Sequence, residues 1–257
     1  MTAHLATLTP ARPEPLDTPI ARILAPGFTP TPITRLLTPG FVPPVAYADG
    51  LAQQMDVHAK VSSGAEPNTL ILLEHEPVFT AGKRTSPDER PTDGTPVVDV
   101  DRGGKITWHG PGQLVGYPIV TLPDPVDVVA YVRRLEQLLI DALQAHGVHG
   151  ERVDGRSGVW VRSPEGRFDK IGAIGIRVNN GVTRHGFALN CTNSLRPFEQ
   201  IIPCGIRDAG VASILSHTGR EISPRLVAET VAGLCGLDWP DPLADTSPSA
   251  QVSAVLA

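Results

Sequence analysis

The sequence predicts an α+β domain, a mixed and largely antiparallel sheet flanked by helices, and three observations carry that prediction. Two stretches, at 124–147 and 223–236, repeat apolar residues at helical spacing between recognisable start and stop signals. Short apolar runs at 69–73, 113–120, 158–161, 171–178 and 183–190 have the length and composition of strands. The last two runs are joined through Asn180-Gly181, a pair suited to a type I′ turn, so they should be antiparallel neighbours. Helices alternating with such strands build a layered α+β domain.

Taken in order, the chain opens with an arm at 1–32 whose prolines at 10, 13, 15, 19, 26, 30 and 32 interrupt any regular element. It is expected to be disordered or draped extended over the surface. Asp49 is expected to cap a helix whose apolar face carries Leu51, Met55, His58 and Val61. A buried strand at 69–73 follows, then a short strand at 97–100 that leads into a glycine-rich segment and the strand at 113–120. Asp124-Pro125 supplies an N-cap and a first-turn proline for a helix with Val128, Val132, Leu135, Leu139 and Ala142 on one face and Gly147 as its stop. Lys170 then heads one strand of the hairpin, and His185 sits on the other. Ser223-Pro224 starts a last helix through Val227, Val231 and Leu234, ended by Gly236. Residues 240–257 read as a flexible tail, which leaves one domain at 33–239. No internal repeat is visible.

With 257 residues, 41% of them hydrophobic, the chain can bury one large core. A net charge of -5 without a basic run offers no electrostatic footprint for nucleic acid. No apolar run approaches the roughly 20 residues that span a bilayer, and no secretory signal is evident, so a cytoplasmic protein without membrane attachment is expected. Three cysteines argue against a disulfide framework and for free thiols.

The most informative stretch runs from Arg102 to Pro118 and holds five glycines, two prolines and His109. Glycine in such number suits a loop built for close approach, with side chains kept clear of a ligand. Two other segments share its character: Lys170-Ile-Gly-Ala-Ile-Gly-Ile-Arg-Val178, an apolar strand headed by a cation, and Phe198-Glu-Gln-Ile-Ile-Pro-Cys-Gly-Ile206, which sets a thiol between proline and glycine. Between them lies His185-Gly-Phe-Ala-Leu-Asn190. Among the thiols, Cys235 near a helix end reads as a small apolar residue and Cys191 at a strand end has no loop signature. The residues alone leave Cys204 open between a nucleophile and a structural thiol. Lys170 by itself reads as a surface charge with Asp169 at hand as an ion-pair partner, except that it heads an apolar strand.

Together these segments resemble the octanoyltransferases, also called lipoate-protein ligase B, over about 67–215 and more loosely from 33 to 237. The resemblance implies the biotin/lipoate protein ligase fold and an acyltransferase. Such an enzyme moves an octanoyl or lipoyl group from acyl carrier protein to a lysine of lipoyl domains. Those domains belong to 2-oxoacid dehydrogenases and the glycine cleavage H protein. It implies no cofactor and no metal, and a monomer is expected. In that family a cysteine and a lysine form the catalytic pair, and the matching positions are Cys204 and Lys170. Cys204 would carry the acyl group as a thioester; Lys170 would favour the thiolate and, with its pKa lowered by burial, exchange protons. The acyl-binding segments map onto Arg102, Gly103, Gly104, Lys105, Ile106, Thr107, Trp108 and His109, onto Ala173, Ile174 and Gly175, and onto Gly186, Phe187 and Ala188. His109 is expected to position substrate rather than act as a base. Lys83, Arg84, Arg102 and Lys105 are candidates for docking an acidic carrier protein. Trp108 stands where the family more often has tyrosine or phenylalanine, and the proline-rich arm is longer than the family core requires.

Three rival readings remain. An ATP-dependent ligase of the same fold needs no cysteine nucleophile, so the Pro203-Cys204-Gly205 setting weighs against it. A metal module built on Cys191, Cys204, His109 and His185 lacks ligand spacing. A non-catalytic acyl-carrier binding protein would keep the acyl-binding segments and tolerate loss of the thiol.

Overall fold

The computed structural model describes residues 32–92, 94–201 and 209–240. The arm before residue 32, the tail after 240 and Cys204 therefore lie outside the described residues. In chain order the strands are β1 (Arg35–Leu37), β2 (Thr69–Leu73), β3 (Val78–Ala81), β4 (Val97–Asp99), β5 (Thr107–His109) and β6 (Gln113–Ile119). They continue with β7 (Glu151–Val153), β8 (Arg156–Arg162), β9 (Phe168–Asn179), β10 (Val182–Asn190) and β11 (Gly210–Val211). The helices are α1 (Tyr47–Ser62), α2 (Val128–Ala145), α3 (Ile214–Thr218) and α4 (Pro224–Leu234).

The main sheet runs β1-β2-β6-β10-β9-β8-β7, with β11 added beside β9, and a smaller sheet runs β4-β3-β5. Only the β1–β2 and β9–β11 pairs of the main sheet are parallel, so the expected mixed, largely antiparallel architecture is what forms. Because side chains alternate along a strand, the apolar run of β2 serves two layers. Leu70 and Leu72 join a core with Leu139 and Leu143 of α2 and Val227 and Val231 of α4. Ile71 and Leu73 face the other way and pack with Val57 and Val61 of α1. The small sheet has its own cluster of Phe79, Ile106, Trp108, Phe198 and Ile201.

The hairpin expected at Asn180-Gly181 is present, both residues having positive φ (51° and 73°), as a type I′ turn requires. α4 begins as its sequence indicates, with the Ser223 side chain accepting from the Leu226 backbone N–H. Two helix starts differ. α1 has Ala46 at its N-cap without a side-chain bond, so Asp49 lies inside the first turn. Its buried face is Gln54, Val57, His58 and Val61, while Met55 is half exposed. α2 starts later than Asp124-Pro125, because Asp127 accepts from the Ala130 N–H and fixes the first turn there. Its buried face is consequently led by Tyr131, Leu135, Leu139 and Ala142, with Val128 left partly in solvent. The sequence reading passed over β1, β3, β5, β7, β11 and the one-and-a-half-turn α3, all too short to show a period of their own.

Candidate active site

The β9–β10 hairpin forms one wall of a cavity of about 270 Å³, and the glycine-rich segment before β5 forms the wall facing it. A β-bulge decides which side chains of β9 reach the cavity. Trp160 of β8 pairs with Lys170 and Val159 with Gly172, so Ile171 has no partner of its own. Ile171 is in the core against α2, and a Cβ on Gly172 would meet Leu139 and Leu189 of that same core. Two successive residues thus point to the helix layer, and Lys170 and Ala173, which would otherwise sit on opposite faces, both line the cavity.

Lys170 is buried, with 8% exposure, and its Nζ lies 4.6 Å from the centre of the Trp160 ring. That ring face stabilises the ammonium in a place where solvent does little for it. The ion pair offered by Asp169 does not form, since the carboxylate accepts from the Gly210 N–H at 3.0 Å. β11 lies alongside: Val211 pairs with Lys170, and the Ala212 N–H donates to the Lys170 carbonyl at 2.9 Å.

Arg102 corrects one expectation. Its guanidinium is turned inward and donates to the Thr80 carbonyl (2.8 Å), the Thr80 hydroxyl (3.0 Å) and the carbonyls of Lys105 (2.8 Å) and Gly103 (3.1 Å). A buried, charge-assisted anchor of this kind holds the loop shape and is not available for docking a carrier protein. Lys105 is paired with Glu89. Lys83 and Arg84 are exposed, and Arg84 lines the cavity rim.

Two glycines of this segment make room for neighbouring protein atoms. A Cβ on Gly112 would lie 2.5 Å from the Asn193 nitrogen, and one on Gly110 would lie 2.2 Å from the Trp108 ring. The Gly112 carbonyl accepts from the N–H groups of Cys191, Thr192 and Asn193, and its own N–H donates to Glu74. Of the expected acyl-binding residues, Arg102, Gly104, Lys105, Thr107, His109, Ala173, Ile174, Gly175, Gly186, Phe187 and Ala188 line the cavity. Ile106 and Trp108 point instead into the small sheet's core, where Trp108 meets Phe198 edge-on. Gly103 is tied by its N–H to the Ile176 carbonyl at 2.8 Å.

His109 is held by a chain of amides. Asn190 donates to the Ala212 carbonyl, Gln113 donates to Asn190 Oδ1 and to the Trp108 carbonyl, and Gln113 Oε1 faces His109 Nδ1 at 2.8 Å. With both amides so oriented, Nδ1 must carry the proton and Nε2 a lone pair. Burial and the neighbouring His75 push the His109 pKa down to about 3, so the ring is neutral at physiological pH. This fits a positioning role and leaves little basicity for proton abstraction.

Sequence reasoning missed Tyr47, His75 and Tyr117. The fully buried His75 has Nδ1 2.9 Å from the Val45 carbonyl and Nε2 2.6 Å from the Tyr117 hydroxyl. Tyr47 stacks parallel to His109 with ring centres 6.4 Å apart, and both tyrosines line the cavity. His185 also lines it. At φ 57°, unusual for a residue within a strand, it bonds Asp101 through Nε2 at 2.9 Å, while Gln54 accepts from its backbone N–H. Burial lowers the His185 pKa, and its bond to Asp101 opposes that.

Two of the three thiols are described. Cys191 is fully buried under the Gly112 loop, and burial pushes its pKa up to about 12; Cys235 is raised to about 12 for the same reason. Neither has the electropositive, accessible setting of a reactive thiol.

Comparison with known proteins places this geometry. The lipoyl protein ligase A/B catalytic domain family matches residues 46–233. A bipartite lipoate protein ligase from Thermoplasma acidophilum superposes with a TM-score of 0.60 at 14% identity, over 82% of this chain and 86% of that one, which shows a shared fold. An octanoyltransferase from Leifsonia xyli subsp. xyli is 60% identical over 189 residues, covering 73% of this chain and 84% of its own length. One from Mycolicibacterium smegmatis is 61% identical over 181 residues, covering 70% and 78%. A cavity walled by the expected glycine-rich loop and hairpin, with a buried lysine at the bulge, is thus carried by a chain that shares most of its length with these enzymes, and the chain belongs to the octanoyltransferases of the lipoyl protein ligase A/B family.

Proposed function

We propose that this chain transfers an octanoyl or lipoyl group from acyl carrier protein to a lysine of lipoyl domains, through an acyl thioester on Cys204 assisted by Lys170. The observation that carries the reading is Lys170 buried in the wall of the acyl-sized cavity, in a chain about 60% identical to octanoyltransferases. The described residues that flank Cys204 in sequence support the pairing. Cys204 belongs to residues 202–208, and the described residues on either side include Phe198 and Val211, which line a small cavity together with Lys170.

In the first half-reaction the Cys204 thiolate attacks the thioester carbonyl. A new S–C bond forms, the carrier's S–C bond breaks, and the carrier thiolate leaves and takes up a proton. A free thiol near pKa 8.5 is mostly protonated at neutral pH, and an adjacent ammonium favours the ionised form. In the second half-reaction the acceptor amine attacks the acyl-enzyme. Its N–C bond forms as the Cys204 S–C bond breaks, and Lys170 relays the amine proton.

The catalytic domain is assigned to 33–239. The acceptors are the lipoyl domains of 2-oxoacid dehydrogenases and the glycine cleavage H protein, and the enzyme acts in the cytoplasm as a monomer. No helix among the described residues is long and apolar enough to cross a membrane. The likeness to the Thermoplasma acidophilum lipoate protein ligase, at 14% identity, speaks for the fold alone.

The test is to incubate the enzyme with octanoyl-acyl carrier protein and no acceptor, then measure intact mass and map peptides. Wild type, Cys191→Ser and Cys235→Ser should each gain one hydroxylamine-labile octanoyl group, and Cys204→Ala none. Full turnover by Cys204→Ala, or transfer that requires free octanoate and ATP, would overturn the mechanism.

A further inference from the structure

His109 presents a single kind of group to the cavity. Its Nδ1–H is committed to Gln113, and a chain of bonds running one way keeps it so: Gln113 donates to Asn190, Asn190 to the Ala212 carbonyl, and the Ala212 N–H to the Lys170 carbonyl. Nε2 has no hydrogen bond among the described residues, and the ring, 8% exposed, lines the cavity. It therefore offers a lone pair and no proton. This atom belongs to the reactive end. Gln113 and Asn190, which hold the ring, line one small cavity together with Lys170, and Thr107, two residues before His109 on the same face of β5, lines that cavity as well.

The charges around Nε2 decide what it accepts from. Among the described residues, the lining of the main cavity includes Arg84, Arg102, Lys105, Arg156 and Lys170 and no carboxylate. Arg156 and Lys170 share one aromatic face, at 5.7 and 4.6 Å from the centre of the Trp160 ring. A further ammonium is repelled from such a place, so an incoming lysine reacts there as the neutral amine, having given its proton to bulk water. A neutral amine brings N–H groups that need an acceptor once water is excluded. The reacting group of the donor, a thioester, has no N–H.

We propose that His109 Nε2 accepts a hydrogen bond from the neutral ε-amine of the acceptor lysine and turns its lone pair toward the acyl carbonyl, which makes His109 a residue of the second half-reaction. This deepens the octanoyl-transfer reading and rests on it. No proton changes hands at His109: the proton that the amine loses on forming its N–C bond goes to Lys170, and Nε2 supplies only the orienting bond. The hydroxyls of Thr107 and Ser157 in the same lining can donate as well as accept, so they do not make this selection.

The test follows the two half-reactions separately by rapid quench and intact mass. Octanoyl-enzyme is formed from octanoyl-acyl carrier protein, and its decay is then timed on adding either a lipoyl domain or the unacylated carrier, whose thiol has no N–H. His109→Phe keeps a ring and removes both nitrogens, so decay to the lipoyl domain should slow at least about tenfold relative to decay to the carrier thiol. His109→Gln, which retains an amide donor for Gln113 and a carbonyl acceptor, should recover most of that loss. Gln113→Leu releases the ring from its tautomer and should lower the same ratio. Melting curves identify a variant that fails to fold, and the ratio in the others then decides. Equal slowing of the two decays, or slowing confined to the formation of octanoyl-enzyme, overturns the role of His109 and leaves the transfer reading standing. A wild type that forms no octanoyl-enzyme overturns the thioester reading, and the role of His109 falls with it.

Discussion

Acid should unfold this protein earlier than its carboxylates alone dictate, and His109 should account for a measurable share. The ring is held neutral in the fold with a pKa of about 3, against 6.5 for an unburied histidine. Below pH 6.5 the unfolded chain takes up a proton that the folded chain refuses, so this contribution to stability is complete above 6.5 and is lost as pH falls toward 3. At pH 5, 1.5 units below the unfolded value, the loss from this one residue is about 2 kcal/mol. For a domain of this size that lowers the melting temperature by about 4–8 °C. Burial lowers His75 and, against its bond to Asp101, His185; both act in the same direction, as does Asp101, whose pKa is depressed. Glu74, raised by burial, acts in the opposite sense and favours the fold as pH falls. His109→Gln keeps a donor for Gln113 and removes the titration. Urea unfolding at pH 7.5 and pH 5 should therefore show a loss in wild type larger by about 2 kcal/mol than the loss in His109→Gln. Equal losses in the two proteins would refute the reasoning.

Gly158 has φ 104°, and a Cβ there would lie 2.4 Å from the Gly172 carbonyl oxygen. Gly158→Ala should cost at least about 2 kcal/mol in thermal unfolding and reduce transfer by disturbing the bulge, whereas Gly166→Ala, also at positive φ but in open space, should cost about 1 kcal/mol and leave activity intact. The fully buried Glu136 accepts from Arg133, Arg152 and the Gly158 N–H, so Glu136→Ala should lower stability by about 2–3 kcal/mol, the half-exposed arginines recovering part of their solvation; melting curves read this directly. Gly175→Leu should place side-chain atoms against Arg102 and the Gly103 carbonyl, both 3.0 Å from its Cβ position, so that transfer of eight-carbon chains falls more than transfer of shorter ones in a chain-length series.

What could be read from the sequence was what is decided locally or by motif. Asn180-Gly181 specifies its turn from two residues, and Ser223 caps its helix from one; both fold as their chemistry demands. The cavity segments were legible because the glycine loop, the lysine-headed strand and the His185-Gly-Phe-Ala stretch are recognisable together. The face of α1 was not, since it is chosen by what packs on it: Gln54 is buried because it accepts from the strained backbone of His185, a partner 131 positions away. Tyr47, His75 and Tyr117 carry no local pattern and meet only when β2, β6 and α1 assemble. The inward turn of Arg102 was equally hidden, because its acceptor Thr80 lies on β3, a strand too short to announce itself.

The β9–β10 hairpin has a consequence for the order of assembly. Its pairs are close in sequence, from Val182↔Asn179 outward to Leu189↔Gly172, so closing it costs little loop entropy. Joining β6 to β10 closes a loop of about 70 residues, since Phe187 pairs with Gly116, and such long-range pairing is slow. One wall of the cavity, with Ala173, Gly175, Gly186 and Ala188 in register, can therefore exist while the facing wall is still unformed. During that interval Ile171 and Leu189 lack the cover of α2, and the hairpin offers both unpaired edges and apolar surface. The strand pair that shapes the cavity is thus also open to self-association while the chain folds.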